Sequence, residues 1–254
     1  MLTSTNGTEL KTDTHVTLVT GAASGIGRAT ALRLAERGDL VICADLSAAA
    51  LEDVASLTGG VAVAGDITVE SDADALVGTA VERYGRLDSV VHCAGIEEAF
   101  VDAREMSLAV FEQTIRVNVT GSFLVARAAG RVMVPQGSGS IVLLGSILST
   151  VGYGGNAAYT ASKGAVLQLG RALAVDWSKF GVRVNVVGPG PVATPMSQAS
   201  IDDPAKGAWL RERIPLGRPA LAEEIAAVCA FLTSDDSSYM SGAYVPVDGG
   251  WLAL

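Results

Sequence analysis

The sequence has no apolar run approaching the ~18 residues that a membrane-spanning helix needs, and it has no cluster of Lys and Arg. Its 18 basic residues are outnumbered by 27 acidic ones, for a formal net charge of -9. Such a chain gains nothing from a phosphate backbone, so nucleic acid is excluded as a partner, and so is a membrane. The opening stretch, MLTSTNGTELKTDT, has no basic region followed by an apolar one, so no secretory signal is expected there. Residues 1–14 are expected to form a flexible polar extension. Cysteine is sparse: Cys43, Cys93 and Cys229 lie far apart in apolar runs, with no CxxC pair. They are expected to pack as core thiols rather than form disulfides or hold a metal. The only histidines, His15 and His92, fall at or in strand-like runs and are expected to be structural. These absences suit a protein of the reducing cytoplasm.

What is present suits a large buried core. Of 254 residues, 49% are hydrophobic and 18% charged, a balance that disfavours disorder. Seven short apolar runs read as strands: 16–20, 40–44, 61–65, 89–94, 140–146, 182–187 and 243–247. They are continuous rather than alternating, as strands buried on both faces must be. Amphipathic stretches at 25–37, 47–57, 70–84, 107–134, 157–180 and 223–233 separate them. This alternation predicts an α/β fold, a doubly wound Rossmann-like parallel sheet with helices on both faces, in one domain over 15–254. Segment 188–222 carries six of the eight prolines and reads as a long irregular loop. Met196, Ile201, Trp209, Leu210 and Ile214 make it apolar enough to be ordered, so a substrate lid is expected at about 190–222.

The first strand runs into TGAASGIG, with Gly21, Gly25 and Gly27. Glycines at a strand-to-helix turn let the backbone approach a pyrophosphate, and the helix starting near Gly25 points free N–H groups at it. The spacing is GxxxGxG rather than the commoner GxGxxG. The second strand ends in Ala44-Asp45, and Asp45 follows the last glycine by 45 − 27 = 18 residues. A carboxylate near that distance accepts from both adenosine ribose hydroxyls and repels a 2′-phosphate. Leu46 follows it and Ser24 precedes the second glycine, so no Arg or Lys flanks the site. NAD is favoured over NADP, with a helix N-cap as the competing reading of Asp45 and Ser47 as its rival for that cap. Asp66, in GDIT, is a candidate for the adenine amino group or for a cap.

AYTASKG places Tyr159 and Lys163 four residues apart, on one helix face. A free phenol has a pKa of ~10. A neighbouring ammonium and a positive nicotinamide would favour the phenolate, bringing an acid/base closer to neutral pH. Ser146 ends the fifth strand, where ligands of parallel sheets gather, and its hydroxyl can meet a substrate oxygen. Asn118 interrupts a helical pattern, where asparagine is a poor choice, so a special task such as holding a water near Lys163 is expected.

Together, TGAASGIG, Asp45, Asn118, Ser146 and YTASK resemble the short-chain dehydrogenase/reductase family, in its single-domain group. The likeness continues through NVVGPGPVATPM, IPLGR and VDGG, over nearly the whole chain. The resemblance implies a seven-stranded parallel sheet and hydride transfer between a nicotinamide and a carbonyl or alcohol carbon. It implies that Tyr159 is the general acid/base and that Lys163 tunes it and holds the nicotinamide ribose. Ser146 would stabilise the substrate oxygen, and Asn118 would anchor a proton-relay water. It further implies cofactor contacts from Ile26, Leu46, Ile67, Ala94, Gly95, Pro189, Gly190, Val192 and Thr194. One departure stands out: His92-Cys93-Ala94-Gly95 replaces the family's Asn-Asn-Ala-Gly, which puts in doubt the hydrogen bonds made there.

Ile96, Glu97, Glu98, Phe100, Ile147, Leu148, Tyr153, Asn156, Met196 and Trp209 are candidate substrate contacts. Most are apolar, so a mainly apolar secondary alcohol or ketone is expected. The helices at 107–134 and 157–180 are apolar on more than one face and the chain ends WLAL; with the resemblance this predicts a homotetramer, or a homodimer. Rival readings are a 3-oxoacyl-thioester reductase, an epimerase or dehydratase on the same fold, and a non-catalytic NAD-binding protein. The thioester branch prefers NADPH, which Asp45 disfavours. The epimerases carry a larger C-terminal domain, and a sensor needs neither Tyr159 nor Lys163.

Overall fold

The computed structural model describes residues 14–254; the extension expected at 1–14 lies, but for Thr14, outside the described residues. From β1 (Val16–Thr20) the chain passes through α1 (Gly25–Arg37), β2 (Leu40–Asp45), α2 (Ala48–Thr58), β3 (Val61–Ala64) and α3 (Glu70–Tyr84) to β4 (Ser89–His92). The second half runs through α4 (Leu108–Ile115), a π turn (Arg116–Thr120), α5 (Gly121–Gln136), β5 (Gly139–Leu144) and α6 (Ala157–Trp177) to β6 (Val182–Pro189). After β6 come β7 (Val192–Ala193), α7 (Gln198–Asp202), α8 (Pro204–Arg213), β8 (Ala220–Leu221), α9 (Ala222–Leu232) and β9 (Tyr244–Val247).

Seven strands form one parallel sheet in the order β3-β2-β1-β4-β5-β6-β9. Successive residues of the central strands face opposite cores, which is why those runs are mostly apolar, whereas the edge strand β3, read as buried on both faces, alternates between half-buried and exposed residues because nothing pairs beyond it. Leu18, Ile42 and Val90 join the core under α3, α5 and α6, whereas Val19, Val41 and Val91 join the one under α1, α2 and α9. Cys43 and Cys229 are buried in the second core, Cys93 packs against it, and all three thiols are free. His15 Nε2 meets Ser89 Oγ at 2.7 Å, a structural tie between β1's entry and β4. Among the described residues no helix is long and apolar enough to cross a membrane.

Two expectations are corrected. The helix read at 107–134 is two helices joined by the π turn at Arg116–Thr120 and extends to Gln136. The π turn is a local bulge that sets Asn118 against the loop after β4. Segment 188–222 is not irregular. Pro204 starts α8 instead of stopping a helix, because at the first helical position no N–H is needed. Asp203 caps that helix, accepting from Ala205 and Lys206 N–H at 3.0 and 2.8 Å.

Candidate active site

The strand order reverses between β1 and β4, and the crevice opens at the C-terminal ends of the strands there. A cavity of about 1150 Å³ fills it, lined from Gly21 at one end to Trp209 and Trp251 at the other. At the β1 end the backbone needs its glycines. Gly21 has φ +67°, and a Cβ on it would lie 2.8 Å from Ala94 N. A Cβ on Gly27 would overlap the Gly21 carbonyl oxygen. Ser24 is the N-cap of α1, yet no side chain caps the helix, so its first-turn N–H groups face the cavity ready for an anion. A side chain on Gly25 would fill the gap to Thr194, with its Cβ 3.3 Å from Thr194 Cγ2. These are the features of a pyrophosphate cradle, and they fit a dinucleotide.

The two readings of Asp45 separate here. Ser47, not Asp45, caps α2, accepting from Ala50 N–H at 3.4 Å. Asp45 Oδ2 accepts from Ala23 N–H at 3.2 Å and Oδ1 from Ser47 N–H at 3.3 Å, so the carboxylate is fastened to the glycine turn at the cavity wall. Asp66 Oδ1 accepts from Thr68 N–H at 2.8 Å and also lines the cavity.

Beyond β5 the chain turns at Gly145, and Ser146 opens a single 3₁₀ turn, its Oγ accepting from Leu148 N–H at 3.1 Å. Tyr244 Oη donates to the Ser146 carbonyl at 2.8 Å and braces that turn from β9. Tyr159 and Lys163 lie one turn apart on α6. Lys163 Nζ donates to Leu144 O at 2.8 Å, at the end of β5, and stands 5.4 Å from the Tyr159 ring centre. Burial lowers the Lys163 pKa to about 8. The expected fall in the Tyr159 pKa is not what the chain's own groups produce. Burial pushes the phenol well above its usual value and the Glu97 carboxylate adds to the rise; a hydrogen bond with Ser146 offsets part of it, and Glu98 adds to it again.

Asn118 is buried and stands behind the cavity wall rather than on it. Its Oδ1 accepts from Ile96 N–H, and its Nδ2 donates to Ile96 O and Ser162 Oγ, at 2.8, 2.8 and 2.9 Å. At β4 the His92-Cys93 departure leaves His92 Nε2 buried without a hydrogen-bond partner. His92 Nδ1 meets Thr20 Oγ1 at 2.9 Å, a cross-strand tie to β1, and burial holds its pKa down to about 3.

The cavity brings together Ser146, Tyr159, Lys163, Gly21, Ser24, Gly25, Ile26, Gly27, Asp45, Leu46, Asp66, Ile67, Ala94, Gly95, Pro189, Gly190, Val192 and Thr194. Asn118 and Asn156 are not on its surface. Sequence reasoning missed Trp251, Lys206 and Arg116, which line it too. No local pattern marks them, since each reaches the cavity only through the fold. A string of rings closes the far end: Phe100–Tyr153, Tyr153–Trp209 and Trp209–Trp251, with centroids 5.7, 5.9 and 5.5 Å apart.

A family model described as enoyl-(acyl carrier protein) reductase matches residues 21–252. The chain is 39% identical to the 2-(R)-hydroxypropyl-CoM dehydrogenase of Xanthobacter autotrophicus, over 94% of this chain and 99% of that one. It belongs to the short-chain dehydrogenase/reductase family. Within that family it is also 37% identical to the D-threitol dehydrogenase of Mycolicibacterium smegmatis, over 96% and 95% of the two chains. A crystal structure of gluconate 5-dehydrogenase from Burkholderia cenocepacia, in complex with NADP and tartrate, superposes with a TM-score of 0.90 at 29% identity, over 94% and 96%. The short-chain dehydrogenase/reductase described here is an oxidoreductase of CH–OH groups that works with a nicotinamide cofactor and interconverts a secondary alcohol and a ketone.

Proposed function

We propose that this enzyme prefers NAD and acts on a small secondary alcohol or ketone with a mainly apolar body. The observation that carries the reading is the convergence of Ser146, Tyr159 and Lys163 on the cavity that also holds the glycine turn and Asp45. The α1 N-terminus with Gly21, Ser24, Gly25, Ile26 and Gly27 would hold the pyrophosphate, and Asp45 with Leu46 the adenosine ribose. Asp66 and Ile67 would flank the adenine. Ala94, Gly95, Tyr159 and Lys163 would hold the nicotinamide ribose, and Pro189, Gly190, Val192 and Thr194 its carboxamide. When bound, the nicotinamide accepts a hydride in alcohol oxidation and donates one in ketone reduction.

The chain's own residues move the proton. Ser146 Oγ donates to the substrate oxygen and fixes it beside Tyr159 Oη. In oxidation the Tyr159 oxygen takes the hydroxyl proton; in reduction it returns one to the carbonyl oxygen. Burial and the Glu97 carboxylate raise the Tyr159 pKa, which disfavours its phenolate form. The positive charge of Lys163 works against that bias and favours the basic form. Asn118 is a positioning residue: it pins Ile96 and Ser162, and with them the wall around Lys163, where the family resemblance implies a relay water. Segment 190–222, tied down by the Trp209 ring, is the proposed substrate lid. The test is absorbance at 340 nm with secondary alcohols and NAD or NADP, run beside Tyr159→Phe. The wild type should form reduced cofactor, and the variant should lose about 100- to 10,000-fold in turnover while still binding NAD. Equal turnover by the variant would refute the role of Tyr159.

A further inference from the structure

The first turn of α6 carries Tyr159, and two glutamates from another part of the chain hold it. Glu97 and Glu98 follow β4, and both line the cavity. Asn156, the N-cap of α6, makes no side-chain cap bond of its own. Glu98 supplies that bond instead, its Oε1 accepting from the Tyr159 N–H at 3.0 Å. Asn156 is engaged elsewhere: its Nδ2 donates to Glu97 Oε1 at 2.7 Å. Asn156 is fully buried and Glu98 is 8% exposed, so these contacts are made largely out of water, where a charge acts over a longer range.

A carboxylate in place of a neutral cap changes the electrostatics of this helix end. The N-terminus of a helix carries about half a positive charge. On its own that charge would favour the phenolate of a tyrosine in the first turn. Here two glutamates sit against it, and among the described residues neither is in an ion pair. The Lys163 ammonium, 5.4 Å from the Tyr159 ring centre, opposes them. At the end of β4, His92 and Cys93 add no charge: burial holds the imidazole at a pKa of about 3 and pushes the thiol well above its usual value. Tyr153, ahead of α6, is a neutral phenol whose pKa burial raises. On α8, Lys206 and Arg213 stand over the Phe100 and Trp251 rings, at 5.1 and 5.5 Å. Asp248, in the C-terminal segment, accepts from the Gly250 and Leu252 N–H groups, both at 2.9 Å. The raised pKa of the Tyr159 phenol agrees with this arrangement: burial contributes most, then Glu97, with Ser146 offsetting part and Glu98 adding less.

We propose that Glu97 and Glu98 are a pair of positioning residues for the proton transfer: docked on the first turn of α6, they hold Tyr159 in place and set their negative charge against the loss of its proton. This rests on the dehydrogenase reading and deepens it by naming the groups that regulate its acid/base. Tyr159 must first give up its own proton to take one from a substrate hydroxyl. The pair therefore slows alcohol oxidation near neutral pH and keeps the phenol protonated for ketone reduction. The hydride and proton balance of the reaction is unchanged.

The test follows kcat/KM for cyclohexanol with NAD, and for cyclohexanone with NADH, from about pH 6 to pH 10, the range in which such profiles report the acid/base of the free enzyme. Glutamine at either position keeps an acceptor for the N–H it meets but removes the charge. In Glu97→Gln and Glu98→Gln the rising limb of oxidation and the falling limb of reduction should both move to lower pH, by about half a unit to one unit. On the acid side, oxidation should then be about three- to tenfold faster than in the wild type. A merely structural role would lower the rates at every pH and leave the limbs where they were, and unmoved limbs in both variants would overturn the proposal. Glu98→Leu removes the acceptor as well as the charge, so its kcat at the plateau should fall while Glu98→Gln restores it. Equal kcat in those two variants would overturn the holding role. If the Glu98 variants do not fold, the limbs of Glu97→Gln decide. If neither compound is turned over although NAD binds, the dehydrogenase reading falls. Tyrosinate absorbance at 295 nm in the NAD-loaded protein, read as the difference from Tyr159→Phe, then tests the pair: an earlier rise with pH in Glu97→Gln than without it supports the proposal, and identical traces overturn it.

Discussion

Asp45 and Lys163 both line the one cavity, and each can be tested by removing it. Asp45 is fastened to the Ala23 and Ser47 N–H groups, so its carboxylate is already aimed when a ribose arrives. Asp45→Ala should weaken NAD by about tenfold to a hundredfold, the range for losing hydrogen bonds to a charged group, and should improve NADP. Both cofactors feel any loosening of the turn, so the ratio of their dissociation constants isolates the charge; an unchanged ratio would sink the assignment. Lys163 makes a pH prediction. Its folded pKa is about 8 against 10.5 for a free lysine, because burial disfavours the ammonium. Between those values the unfolded chain binds more protons than the folded one, so this group's contribution to stability rises with pH and is lost as pH falls toward 8. The melting temperature of the wild type minus that of Lys163→Met should therefore become more positive from pH 7 to pH 10. A flat difference would mean that Lys163 is not depressed.

At the scale of elements, the junction of β1 and α1 is the least forgiving place in the fold. The helix starts so close beneath its own turn that a Cβ on Gly27 overlaps the Gly21 carbonyl. Gly27→Ala should cost about 1–3 kcal/mol by overpacking, read by urea denaturation, and should weaken both NAD and NADP together. Loss of cofactor binding without loss of stability would mean that the turn yields and only the cradle is spoiled. The π turn between α4 and α5 plays a comparable part on the other side of the cavity, since it sets the Asn118 side chain against Ile96 and Ser162.

For the whole molecule, helices α4 and α5 leave Leu108, Phe111 and Phe123 exposed, and Val175 on α6 is exposed as well. Exposed apolar side chains on these helices are what the expected assembly would cover. The proposed homotetramer should give a light-scattering mass of four chains, and Phe123→Asp should lower it by desolvating a charge in the contact. A monomeric wild type would refute it.

Much of this was legible in the chain order. Strand runs, glycine spacing, Asp45 and the Tyr159–Lys163 pair are local patterns, and local patterns follow from backbone geometry and period alone. The helical content of segment 188–222 was hidden because proline reads as a breaker, although at the first helical position it is a starter. Which ring meets which, that Trp251 closes the cavity, that Asn118 lies behind its wall, and that Glu98 caps α6 at Tyr159 were decided only by the tertiary structure. Those contacts join residues distant in sequence, and the direction of the Tyr159 pKa depends on burial, a property of the packed whole rather than of any neighbour in the chain.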